Sequence, residues 1–309
     1  MWKETLKYSL YRALVTPLAW LPMPVLYTLG TALRMVLEHV IKYRRKVVRQ
    51  NLRNSFPEKP EAELREIEHD FYHQLADNFV ETVKLLHMSD GEANRRIEVS
   101  GAELPNRYAA EGRPTILYLG HYANWEFVPK IKCHLGYDIC AQVYKPLRNE
   151  AFDKLMLKVR SRFDPISIPQ KRVFRQLVGW ARAGKPFICG FIADHRSNLK
   201  VAHHITTFLN QTTQFNPGGE EIGNRIGAVY LYLDVEKLTR GHYRLTFKEI
   251  KPDEADADSP YTREYLRMLE QTIRRRPGLW LWSHRRWKWA NQLKTDCHIE
   301  TQPENNTTK

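Results

Sequence analysis

Between Ala13 and Leu33 the chain carries no charged residue, and nothing else in it constrains the fold as strongly. A helix needs about 20 apolar residues to cross a bilayer, so the stretch is long enough to span. Yet Pro17, Pro22 and Pro24 interrupt it, and a proline inside a helix removes a hydrogen bond and clashes with the preceding turn. Basic residues stand on both sides, Lys3, Lys7 and Arg12 before, then Arg34, Lys42, Arg44, Arg45, Lys46 and Arg49. A true span usually shows a charge asymmetry. No small-residue cleavage site precedes a polar start, so a removed signal peptide is not expected. The expectation is a broken helical hairpin lying in, or dipping into, the membrane interface. A genuine span and a buried core hairpin are the alternatives. If the segment spans, the basic cluster puts everything after it in the cytoplasm.

The remaining chain reads as one mixed domain over residues 43–294, between an anchoring segment at 1–42 and a polar, disordered tail at 295–309. With 309 residues, 42% of them hydrophobic, it can bury one large core, or one core with a helical extension. The four cysteines are scattered without a CxxC pair, so neither a zinc site nor a disulfide framework is suggested. From Glu61 to Met88 apolar residues recur at helical spacing, at Leu64, Ile67, Phe71, Leu75, Phe79, Val83 and Leu86. Strand-like runs follow at Thr115–Leu119, Phe187–Ala193, Ala228–Val235 and Tyr243–Ile250, the last two joined through Thr239-Arg240-Gly241 as a hairpin. Helical patterns occupy 150–163, 172–183 and 262–275. The fold class is α/β, a mixed central sheet flanked by helices.

His121 leaves the end of the run Thr115–Leu119 through Gly120, and Glu126 stands five positions on. In α/β sheets ligands bind at the C-terminal ends of strands. The spacing itself is cheap: the composition predicts about 1.4 chance pairs of this kind, and His87 with Glu92 is a second one, read as a helix stop. On an ideal helix five residues turn through about 140°, so His121 and Glu126 can meet only across a strand-to-helix turn, which Gly120 permits. A neutral histidine can take a proton from a hydroxyl at neutral pH, and a carboxylate beside it fixes the tautomer. No Gly-x-Ser-x-Gly elbow or evident nucleophilic cysteine accompanies the pair, so attack by a substrate hydroxyl is more natural than a covalent acyl-enzyme. From spacing and context, a His121–Glu126 dyad and a histidine bonded in a strand-end turn stand level.

"GHYANWE" at 120–126 resembles the first block of the lipid A biosynthesis acyltransferases, the late acyltransferases of Gram-negative bacteria. "YRRKVVRQNLRNSFPE" at 43–58, "VYKPLRNEAFDKLMLKVRSRF" at 143–163, "FIADHRSN" at 191–198 and "WLWSHRRWK" at 280–288 are similar to further blocks in the same order. The resemblance implies a glycerolipid acyltransferase-like fold and an inner-membrane protein whose active site faces the cytoplasm. It implies transfer of a fatty acyl group from acyl carrier protein to a hydroxyl of an acyl chain already on the lipid A precursor, with no cofactor. His121 is then the base and Glu126 its orienting group. Tyr144, Lys145, Arg148, Asn149 and Arg162 suit substrate phosphates or carboxylates, with a solvated helix face as the alternative. Asp194 matches an acidic residue of the third block, although His195 follows it where the family usually has glutamine. A metal role for His195 with His203 and His204 fits no common spacing, and no metal is expected.

The net charge of +13 implies an anionic partner. With the resemblance, that is acidic acyl carrier protein, which Arg172, Arg175 and Arg182 could meet from one helix face, together with an anionic membrane lipid and the membrane surface. The segment 216–228 reads as a surface turn, or as a loop opening a helix that could hold an anion. Trp280, Trp282, Trp287 and Trp289, among Arg285, Arg286 and Lys288, could be a membrane-interface belt, stacking platforms for single-stranded nucleic acid, or core packing with snorkelling cations. A nucleic-acid-binding protein would leave Ala13–Leu33 unexplained, so no nucleic-acid partner is expected. Glycerol-phosphate acyltransferases share a His-four-Asp motif but carry a Phe-Pro-Glu-Gly type block that this chain lacks. That favours the lipid A branch and leaves an aminolipid, a glycerophospholipid or another glycolipid as alternative acceptors.

Overall fold

A computed structural model describes residues 2–195, 204–253 and 258–288; His203, Trp289 and the tail 295–309 lie outside them. Seven strands form one sheet: β1 (Ile97–Ser100), β2 (Thr115–Leu119), β3 (Ile139–Tyr144), β4 (Ile166–Pro169), β5 (Phe187–Ile192), β8 (Val229–Thr239) and β9 (His242–Glu249). Their order is β1-β9-β8-β2-β5-β3-β4. Every neighbouring pair is parallel except β8 with β9, the hairpin read from sequence. Gly241, at φ +74, supplies the left-handed residue of that hairpin turn. β6 (Ile205–Phe208) and β7 (Gln211–Gln214) make a separate antiparallel ribbon.

β2 is central because all five of its residues are buried; an unbroken apolar run suits a strand covered on both faces. The strands the sequence reading passed over, β1, β3, β4, β6 and β7, are four to six residues long and only partly buried, so no period stands out in them.

The anticipated helices appear as α4 (Glu61–Lys84), α7 (Glu150–Arg160), α8 (Val173–Arg182) and α10 (Pro260–Arg275). Between and before them lie α3 (Arg45–Ser55), α5 (Asp90–Arg96), α6 (Glu103–Ala110) and α9 (Gly218–Arg225), the last formed within the segment 216–228. Ser89 caps α5 by accepting from the Glu92 N–H, and Trp20 stacks on His87. That second histidine–glutamate spacing is structural.

The uncharged N-terminal stretch is divided between α1 (Trp2–Trp20) and α2 (Met23–Met35), with a π-helical turn at Val36–Val40 beyond. Pro17 lies inside α1 and does not end it; the break falls at Pro22, extended at φ −60 and ψ 147. Among the described residues no helix is long and apolar enough to cross a membrane. α2 lies along α4, burying Met23, Leu26 and Gly30. α1 rests on α7 and α4, where Lys84 donates to the carbonyls of Ala19 and Leu21. The outer side of α1 leaves Leu6, Leu10, Leu14 and Leu18, four residues apart, exposed to solvent.

Candidate active site

Parallel pairing sets Leu119 of β2 beside Ile192 of β5. The two strands therefore end together, and two residues past each end come His121 and Asp194. The Asp194 carboxylate accepts from the His121 backbone N–H at 2.9 Å, from its Nδ1 at 2.6 Å and from Trp280 Nε1 at 2.8 Å. Burial pushes the Asp194 carboxyl up, but the charge and hydrogen bond of His121, with lesser help from His195 and Trp280, hold it well below the usual carboxylate range. A carboxylate can only accept, so the Nδ1 of His121 carries a proton, and in the neutral imidazole it is Nε2 that carries the lone pair. The His121 side chain is 17% exposed, enough for a substrate atom to reach it.

The turn bearing His121 is fixed on two further sides, by residues 279–281 and by α4. Leu281 N–H donates to His121 O, Ala123 N–H to Leu279 O, and Tyr122 bridges Trp280. From α4, Asn78 donates to Ala123 O at 2.8 Å, and buried Glu81 accepts from Asn124 at 2.7 Å. The left-handed residue of the turn is Ala123, φ +51, rather than Gly120. Gly120 is needed for a different reason: a Cβ there would stand 2.5 Å from Leu269 Cδ1, on α10.

Glu126 is not the partner of His121 in this structure. Both its oxygens accept from Arg160 on α7, at 2.8 and 2.7 Å, while its N–H donates to Asn124 Oδ1. The chain after Asn124 enters a 3-10 helix, Trp125–His134, which carries the glutamate toward α7 instead of back to the histidine. Asp194, read from sequence only as a substrate contact, takes the orienting position that was expected of Glu126.

The other expected substrate residues divide. Tyr144, half-buried, and Lys145 and Arg148, exposed, follow β3, whose C-terminal end shares the sheet edge with that of β2. Asn149 is engaged as the cap of α7 and donates to Tyr11. Arg162 donates to Met88 O and to Asp90, so it ties the 3-10 turn after α7 to the start of α5. Trp280 and Trp282 are buried and Trp287 packs on Phe208, which bears out core packing. Arg285 and Lys288 reach solvent, but Arg286 is buried. In α9, Glu220 accepts from the N–H groups of Tyr261 and Thr262, so that segment caps α10.

Three imidazoles are stacked here. His121 and His195 lie 3.6 Å apart at 5°, and His195 and His284 3.9 Å apart at 12°. His121, Asp194 and His195 offer ligand atoms within 4.8 Å of one another. A ring nitrogen's lone pair lies in its ring plane, so two nearly parallel planes 3.6 Å apart cannot converge on one ion about 2 Å from each. The donor set therefore does not fit a metal, and His204 pairs with Asp258 instead. His195 and His284 were not anticipated as neighbours of His121, and no local spacing connects them.

The arrangement can hold a neutral imidazole as a general base beside a buried carboxylate. The model of the bacterial lipid A biosynthesis acyltransferases matches residues 3–289. The chain is 24% identical over 273 residues to the lipid A biosynthesis palmitoleoyltransferase of Escherichia coli (strain K12), covering 87% of this chain and 86% of that protein. The lipid A biosynthesis acyltransferase of Shigella flexneri gives the same identity and coverage. The Escherichia coli lipid A biosynthesis lauroyltransferase is 25% identical over 274 residues, 87% of each chain.

Proposed function

The chain belongs to the bacterial lipid A biosynthesis acyltransferases, and from that premise we propose that it moves a fatty acyl group from acyl carrier protein to a hydroxyl of a lipid A precursor. The acceptor hydroxyl gives its proton to His121 Nε2 as its oxygen attacks the thioester carbonyl carbon. The tetrahedral oxyanion collapses with cleavage of the C–S bond, and the departing thiolate takes the proton from the imidazolium. Asp194 keeps Nδ1–H in place and balances the imidazolium charge. Glu126 acts through Arg160, holding the start of Trp125–His134 against α7. The observation that carries this reading is the His121–Asp194 pair at the shared end of two central parallel strands.

Lys145 and Arg148 form a cationic rim at the same sheet edge, suited to phosphate groups of the acceptor. The exposed leucine row of α1 suits burial in the membrane interface at the cytoplasmic face of the inner membrane. Mass spectrometry of membrane lipids with and without the gene tests the assignment. Loss of one acyl chain from lipid A supports it; loss from an aminolipid or glycerophospholipid alone would move the acceptor, and an unchanged lipid profile would end it.

A further inference from the structure

Arg286 is 4% exposed, and none of its three guanidinium nitrogens has a hydrogen-bond partner among the described residues. Buried guanidinium groups in native proteins are paired, because an unpaired buried ion costs several kcal/mol. Two groups whose charge acts on it, Asp194 and Tyr265, take no hydrogen bond from its guanidinium. Asp194 accepts from His121 and Trp280, and Tyr265, whose charge state couples to Arg286, donates to Leu119 O. The guanidinium rests over the Phe208 ring at 5.3 Å, which supplies attraction but no acceptor.

Its position is built. Asn51 on α3 donates to the carbonyls of Trp282 and His284 at 2.8 and 3.0 Å, and Arg44 to that of Ser283. Arg286 N–H donates to His284 O, and His284 is the outer ring of the histidine stack that ends on His121. His195, the middle ring, has an Nε2 that is also buried without a hydrogen-bond partner among the described residues. The backbone thus drives one cation inward, near enough for its charge to act on His195 and Asp194, while its neighbours Arg285 and Lys288 stay in solvent.

We infer that Arg286 is an anion-binding residue of this active site, receiving a negatively charged oxygen that none of the described residues provides. The inference rests on the acyl-transfer reading for what that oxygen is: a phosphate or carboxylate oxygen of a bound substrate, or the oxyanion of the tetrahedral intermediate. Both are the same chemistry for a guanidinium.

The test compares full-length wild type with Arg286→Met and Arg286→Lys, measuring melting temperature and transfer from acyl carrier protein to the lipid acceptor. Replacing an unpaired buried ion by an apolar side chain of similar length leaves stability equal or higher, so Arg286→Met should melt at or above wild type. It should lose about a hundredfold in kcat/KM, with Arg286→Lys recovering part. A loss carried by KM identifies a fixed anion of the substrate; one carried by kcat identifies the oxyanion. An Arg286→Met variant with kcat/KM within about threefold of wild type, or melting several degrees below it, would overturn the inference. If wild type itself transfers nothing, the functional reading fails, and inorganic phosphate decides the site. A phosphate-dependent rise in melting temperature in wild type and not in Arg286→Met sustains it, whereas equal rises or none end it.

Discussion

Asp194 accepts two hydrogen bonds from the same residue, His121, one from its backbone N–H and one from its ring Nδ1, at 2.9 and 2.6 Å. A single carboxylate so fixes both where the histidine stands and which nitrogen is the base. Asp194→Asn should therefore cost about a thousandfold or more in kcat, since an amide can present the wrong group to Nδ1. Glu126→Gln keeps an acceptor toward Arg160 and should cost much less. Turnover measured on both variants, with His121→Ala as the inactive reference, checks the order. The reverse ranking would return the orienting role to Glu126.

Burial, followed by the charge of His121, pushes the His195 imidazole down to about 2. An unfolded histidine titrates near 6.5, so between those values the unfolded chain binds a proton that the native one refuses. Stability supplied by neutral His195 is complete above pH 6.5 and falls as the pH drops, by up to about 1.4 kcal/mol per pH unit. The depressed Asp194 acts in a lower window, below about 3.9. Denaturant melts from pH ~4 to ~7 should show a flatter dependence in His195→Phe than in wild type. Parallel curves would exclude His195 as the source.

Gly120→Ala places a methyl 2.5 Å from Leu269 Cδ1, and Leu269 is fully buried, so overpacking should cost about 1–3 kcal/mol. Adding Leu269→Ala opens the space. The double variant should then lie closer to Leu269→Ala alone than additivity allows, which a double-mutant cycle of unfolding free energies measures. Additive costs would mean that Gly120 serves some other need.

Leu10→Glu with Leu14→Glu interrupts the exposed row on α1 without touching the buried face of α2. Most of the variant should leave the membrane fraction, with an unchanged melting temperature. Wild type should resist high salt, which screens charge and not apolar burial. Sedimentation with vesicles containing anionic phospholipid reads both effects. A variant that sediments as wild type does would remove α1 as the anchor.

Arg172, Arg175 and Arg182 are all exposed at or along α8. Charge reversal at Arg172 and Arg175 should raise the KM for acyl carrier protein several-fold, about 3- to 10-fold at low salt, and hardly change that for a small acyl thioester. Equal losses with both donors would assign these arginines to the acyl site or the fold.

The sequence by itself determined the elements whose pattern is local. The four-residue apolar run 116–119 of β2, the helical stripe of α4 and the β8–β9 hairpin all carry a period or a turn signal within a few residues. It also singled out His121 as a candidate, because a histidine leaving a buried strand through a glycine is a local arrangement, although spacing alone left a dyad and a strand-end turn level. Only the tertiary structure decided which carboxylate holds that histidine. Glu126 is five residues away and goes to Arg160; Asp194 is 73 residues away and reaches His121 because parallel pairing ends β2 and β5 at one edge. The stacking of His195 and His284 on His121, and the enclosure of Arg286 while Arg285 stays in water, depend likewise on strand order and on the grip of α3 on residues 282–284. Local periodicity is set by one element's own burial. Which side chains meet at a strand end is set by the register between elements far apart in the chain, and no local spacing records it.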